Sequence, residues 1–166
     1  MVSAAAQPPP GSRGIEEILA SARARLHRVD AVAAYEAQQR GALLVDIRPQ
    51  ARRESDGGIP GAVVIHRNVL EWRLDPRSDA RLPQADRYDL PVIVVCNDGY
   101  TSSLAAASLQ DLGLHRATDL CGGFEAWRAA GLPVTATDPP AVITTDPPAV
   151  LTTDPPPIRP PGYADI

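Results

Sequence analysis

A chain of 166 residues, 44% of them hydrophobic, suggests one domain with tails, and its net charge of −4 gives no reason to expect nucleic acid or an acidic membrane surface as a partner. Its 18 prolines are too many for one compact domain, and its two cysteines, Cys96 and Cys121, exclude a disulfide scaffold. Arginine is spread along the chain, lysine is absent, and neither a secretory signal nor a bilayer-spanning apolar stretch is visible, so a soluble, reducing, cytoplasmic setting is expected.

Residues 1–14 are small, polar and proline-bearing, as in a disordered leader. From Ile15 to Leu26, Ile15, Ile18, Leu19, Ala22 and Leu26 share one helical face, which predicts an amphipathic helix that either packs on the domain's flank or offers a docking surface. Arg28-Val29-Asp30 predicts a short strand and an N-cap, followed by a helix over Ala31–Arg40 that ends at Gly41. Ala42–Ile47 (ALLVDI) has the apolar run of a buried strand. Asp46 and Arg48 stand at its carboxyl end, where open α/β sheets bind ligands, and serve there either as ligand-binding groups or as scaffold residues tying loops together.

Pro49–Gly58 is charged, a loop or ragged helix, and Ala62–Ile65 predicts a third short strand. Leu70-Glu71-Trp72-Arg73 suits a helical turn, with Trp72 expected to pack rather than stack on a ligand and His66 expected at an exposed strand end. The most informative stretch begins at Pro91. Val92–Val95 is a β-branched run suited to a strand buried on both faces, and Ser102–Leu112 carries Ala and Leu at helical spacing up to Gly113. Between them sits a tight loop that begins with Cys96. A strand turning straight into a helix leaves free backbone N–H groups around the turn, and the helix N-terminus adds partial positive charge. A thiol held there ionises more readily, and the thiolate is the nucleophile. Leu114–Leu120 predicts a last strand, Gly122-Gly123 a sharp turn, and Phe124–Ala130 a short helix stopped by Gly131. Strands alternating with helices predict a mostly parallel sheet covered on both faces. Beyond Pro133 the chain repeats V-x-x-x-D-P-P with a period of eight, which blocks helix and strand alike and predicts an extended, solvated tail.

Four marks in order, Asp46-Ile47-Arg48, Ile59-Pro60-Gly61-Ala62, Cys96-Asn97-Asp98-Gly99-Tyr100-Thr101 and Gly122-Gly123-Phe124 with Ala126-Trp127, resemble the rhodanese-like domain of the sulfurtransferase family over roughly Val29 to Pro133. The loop fits that family's C-x-x-G-x-T signature. The span from Asp46 to the IPGA mark is one residue longer than the family pattern, and Gly58 stands where the family commonly has histidine. The resemblance implies an open, mostly parallel α/β sheet with helices on both faces, over residues 15–133. The helix over residues 15–27 is extra to it, and residues 134–166 form the tail. It further implies that Cys96 takes a sulfane sulfur from a donor (thiosulfate or a persulfide) as a persulfide and passes it to a thiophilic acceptor. Asn97, Asp98, Gly99, Tyr100, Thr101 and Ser102 would form the cradle for that sulfur, with Asp46 and Arg48 as supporting residues.

No cofactor or metal is expected. The partners implied are a small-molecule or protein sulfur donor and a thiol acceptor, with no nucleic acid and no membrane. A non-catalytic binding or persulfide-sensing module is the alternative. Related phosphatases on this fold complete a C-x5-R loop, and Ser102 stands where that arginine would be, which disfavours a phosphate dianion. Asp98 would repel a dianionic donor if it faces the mouth. Cys121 is either a resolving thiol for Cys96 or a small residue filling space beside the paired glycines.

Overall fold

The computed structural model describes residues 7–136. The repeat tail beyond Ala136 and the first residues of the leader lie outside them. Four parallel strands, β1 (Leu43–Asp46), β2 (Val63–Val64), β3 (Val92–Val95) and β4 (Ala117–Asp119), form one sheet in the order β2-β1-β3-β4. Among the described residues six α-helices connect and flank them: α1 (Ile15–Ala24), α2 (Ala31–Gln39), α3 (Gln50–Asp56), α4 (Leu70–Leu74), α5 (Thr101–Asp111) and α6 (Gly123–Ala129). No described helix is long and apolar enough to cross a membrane.

The period-two geometry of a strand explains why the sheet has two cores. Val92 and Val94 of β3, and Cys96 just after it, face a cluster completed by Val45 of β1, Leu70 and Leu74 of α4, and Ala105, Ala106 and Leu109 of α5. Ile93 and Val95 face the opposite way, toward Leu44, Ala34 of α2, and Phe124 and Trp127 of α6. All four β3 residues are buried, so the run of β-branched side chains is needed on both faces. Each contributes about 1.5–3 kcal/mol on burial, which makes β3 a rigid mount for the loop at its carboxyl end. The register places Asp46 opposite Val95, and Val94 opposite Asp119. The carboxyl ends of the three strands β1, β3 and β4 therefore meet along one edge, with Cys96 in the middle.

Several sequence expectations are adjusted. The helix expected from Ile15 packs on α5, but Ile15 and Ile18 are exposed and only Leu19 and Ala22 are buried within it, because the contact with α5 covers a narrow stripe. β2 has two residues instead of four, since its chain leaves the sheet at Ile65 for a turn of 3-10 helix, Arg67–Val69. Trp72 is 61% exposed rather than packed: α4 is short and buries Leu70 and Leu74 on its other side. Finally, Thr135 pairs with Gly58 through two backbone hydrogen bonds of 2.9 and 3.1 Å, and Trp127 Nε1 donates to Pro133 O at 2.9 Å. The chain thus stays on the domain past Pro133, where the repeat composition begins.

Candidate active site

Cys96 is the first residue after β3 and is buried, at 8% exposure. The loop beyond it rises over the sulfur and enters α5 at Thr101, which bends two amides back onto Sγ. Gly99 N–H stands 3.2 Å and Ser102 N–H 3.4 Å from Sγ. Two N–H donors converging on one sulfur at a helix N-terminus are an arrangement for holding negative charge there.

The loop is locked by the turn after β4. Phe124 and Glu125 donate their N–H groups to the carbonyls of Cys96 and Asn97, at 2.8 and 3.1 Å. A Cβ on Gly123 (φ +60°) would come within 2.4 Å of both carbonyl oxygens, and one on Gly99 (φ +79°) would come within 2.7 Å of Gly122 N. Only two chains without side chains can interlock so closely, which is the structural reason for the paired glycines and for Gly99.

Above the sulfur opens a cavity of about 310 Å³ lined by Ile47, Arg48, Pro49, Arg67, Cys96, Asn97, Asp98, Tyr100 and Thr101. The structure thus gathers most of the expected set around one opening: Asn97, Asp98, Tyr100, Thr101 and Arg48 line it, while Gly99 and Ser102 hold the sulfur through their N–H groups. Asp98 is exposed at the mouth and accepts from Asn97 Nδ2 at 3.1 Å. Asp46 does not reach the cavity lining. It is buried and holds Arg48 through a bidentate contact, with Arg48 Nη2 at 2.7 Å and the Arg48 N–H at 2.9 Å. Arg48 Nη2 also donates to Gly57 O, and its guanidinium carbon lies 3.6 Å from the centre of the Phe124 ring. The pair is therefore a brace between β1, the segment after α3, and α6.

Besides its N–H on the sulfur, Ser102 has its hydroxyl on the far side of the cavity, where it donates to Asp119 Oδ2 at 2.8 Å and stands 3.2 Å from Cys96 Sγ. Asp119 is fully buried and belongs to a polar set that the sequence reading passed over. Ser103 Oγ donates to the same oxygen, and Arg28 donates through Nε and Nη2 to the two carboxylate oxygens at 2.8 and 3.1 Å. Hydrogen bonding to Asp119 raises Arg28 above the ordinary arginine value despite partial burial, and the charges of Asp119, Cys121 and Cys96 add to it. Arg28 Nη2 and Arg23 Nη2 both donate to Gly99 O, at 3.0 and 2.8 Å, and Arg23 stacks on Tyr100 at 5.2 Å. The extra N-terminal helix thus delivers an arginine to the underside of the loop.

Arg67 was missed as well. It lines the cavity from the turn before α4, where Glu71 grips it at 2.9 and 3.0 Å and Ser108 of α5 grips Glu71 at 2.6 Å. The available signal was the one that flagged Asp46: a charged residue at or just past the carboxyl end of a short apolar strand, which also describes Asp119 and Arg67. Cys121 is partly buried, beside Gly122, and is a free thiol like Cys96.

A cysteine set between a parallel strand and a helix, with amides converging on its sulfur and an open cavity above, is an arrangement suited to nucleophilic chemistry on sulfur or a small anion. Residues 30–130 match the family model described as rhodanese-like domain, and the chain belongs to that family. The chain is 31% identical over 100 residues to the thiosulfate sulfurtransferase GlpE of Vibrio cholerae, covering 60% of this chain and 85% of that one. It is 38% identical over 92 residues to GlpE of Pseudomonas putida, covering 55% and 74%. Among solved structures, a protein of unknown function from Rhodopseudomonas palustris, described as a possible tyrosine phosphatase, superposes with a TM-score of 0.68 at 33% identity, covering 78% of this chain and 99% of that one.

Proposed function

We propose that this protein, a sulfurtransferase of the rhodanese-like family, carries sulfur on Cys96 as a persulfide. The observation that supports the reading is the convergence of the Gly99 and Ser102 N–H groups on a buried sulfur that faces an open cavity. In the first half-reaction the Cys96 thiolate attacks the outer sulfur of the donor. The new Sγ–S bond forms as the donor's S–S bond breaks, and its electron pair leaves with the remnant, which is sulfite when the donor is thiosulfate and a thiolate when it is a persulfide. In the second, an acceptor thiolate attacks the outer sulfur and Cys96 leaves as thiolate. The cycle is ping-pong, and the loop amides stabilise the anionic sulfur in both halves.

Charge around the mouth favours one donor class. Arg67 is shared with Glu71, Arg48 is engaged by Asp46, and Asp98 adds a negative charge at the rim. A persulfide bearing a single negative charge meets less opposition there than the thiosulfate dianion. Phosphoryl transfer is opposed by the same geometry, since Ser102, not an arginine, comes after Thr101 and its side chain is committed to Asp119. The test is intact-protein mass spectrometry after exposure to thiosulfate and to a low-molecular-weight persulfide. The expected result is a gain of one sulfur atom on Cys96, greater with the persulfide and discharged by added thiol. A protein that stays unmodified with both donors refutes the reading and leaves a binding module.

A further inference from the structure

The polar set beneath Cys96 has no part in the two half-reactions. A serine hydroxyl carries one proton and can accept at its lone pairs. While that proton lies on Asp119 Oδ2 at 2.8 Å, Ser102 Oγ faces Cys96 Sγ, 3.2 Å away, only as an acceptor. This arrangement fits S–H. For a thiolate the hydroxyl must turn and donate to sulfur. Asp119 is built to let it go: Ser103 Oγ remains at 2.8 Å and Arg28 spans both oxygens, so the buried carboxylate keeps its partners after Ser102 leaves.

We propose that Asp119 is a positioning residue for Cys96, acting through the Ser102 hydroxyl as a rotor: bonded to Asp119 it supports the resting thiol, and turned toward sulfur it supports the thiolate. The proton lost from Sγ goes to solvent in the cavity. Resting on the sulfurtransferase reading, the device sets how readily the loop accepts its first sulfur, and Arg28 keeps the carboxylate's charge from falling wholly on the thiolate.

The charged and titratable groups around the sulfur come from every side. Arg23 and Arg28 approach from the N-terminal segment, and Asp119 and Cys121 from β4 and the turn after it. Asp98 and Tyr100 belong to the loop itself. Arg48, with Asp46 behind it, and Arg67, with Glu71, border the cavity. Asp119 differs from the other acids: it is fully buried and lies no more than about 6 Å from Sγ, since both are bonded to one oxygen.

The experiment is the pH profile of iodoacetamide alkylation of full-length protein in a Cys121→Ala background, where Cys96 is the one thiol. Asp119→Asn removes the negative charge and leaves a weaker, neutral acceptor for the Ser102 hydroxyl, which frees it to turn to sulfur. The midpoint should move down by about one pH unit. Arg28→Gln should move it up by a similar amount, and Ser102→Ala should move it up by less. A merely structural role predicts lower melting temperatures with no such opposed shifts. A midpoint that is unchanged or higher in Asp119→Asn overturns the proposal. If Arg28→Gln does not fold, Ser102→Ala, which leaves the ion pair intact, still decides: a midpoint that fails to rise removes the rotor. Alkylation needs no sulfur donor, so flat midpoints in variants that still take up sulfur sink this inference alone, whereas shifted midpoints without sulfur uptake sink the transfer reading.

Discussion

Replacing Gly123 with alanine tests whether the turn after β4 holds the nucleophile in place. The residue has φ +60°, and a Cβ there would lie 2.4 Å from the carbonyl oxygens of Cys96 and Asn97, both backbone atoms with no flexible end to swing aside. The left-handed backbone costs an alanine about 1 kcal/mol. Relieving the overlap separates α6 from the loop and weakens the hydrogen bonds from Phe124 and Glu125 to those same carbonyls, each contributing about 1 kcal/mol. The expected total is about 3 kcal/mol, which for a domain of this size lowers Tm by roughly 10 °C. Gly131→Ala is the control. Its φ is +68° and nothing lies within 4 Å of the added Cβ, so it meets the backbone term alone, a fall of roughly 4 °C. Thermal melts by circular dichroism read both variants. Gly123→Ala should also slow alkylation of Cys96, because its carbonyl is the group displaced, while Gly131→Ala should not. Equal losses of Tm in the two would show that the backbone contact contributes nothing, and the account of how the loop is positioned would be wrong.

Cys96→Ser should fold normally and lose sulfur transfer by at least about a hundredfold, since a hydroxyl at that position is far less acidic; a folded variant with substantial turnover takes Cys96 out of the mechanism. Asp98→Lys should improve the use of thiosulfate by up to about tenfold at low salt, and flat turnover would show that the rim charge does not select the donor. Removal of residues 137–166 should leave Tm and turnover unchanged, while removal from Val134 onward should lower Tm because the Gly58–Thr135 pairing is lost; equal melting of the two truncations counts against that pairing as a support.

The strands and helices were legible because each is bounded by strong local signals. Val92–Val95 is too uniformly β-branched to be anything but a strand buried on both faces, and Asp30 caps α2 by accepting from Ala33 N–H at 2.8 Å, as its position before an alanine-rich run suggested. Errors arose where tertiary packing, which periodicity does not encode, decided the outcome. Ile15 and Ile18 fall at spacings that suit a buried face, and Trp72 was expected to pack, yet the helices that carry them meet their neighbours along narrow lines and leave all three outside.

The site divides in the same way. Its upper half, Cys96 to Ser102, is contiguous in sequence, so a strand, a glycine and a helix start were enough to place a sulfur under converging amides. Its lower half is assembled from Arg23 and Arg28 before the first strand and Asp119 at the end of the last, with Arg28 and Asp119 lying 91 positions apart and joined only because parallel strands bring their carboxyl ends to one edge. Nothing local distinguishes Arg28 from the chain's other arginines. What sets it apart is its two partners: the fully buried carboxylate of Asp119 must be paired, and the arginine that pairs it also reaches the carbonyl of Gly99. That dual contact ties the electrostatics of the sheet edge to the shape of the loop. A change at Arg28 should therefore act on the acidity of Cys96 and on the loop's stability together, while Ser102→Ala acts on the first alone.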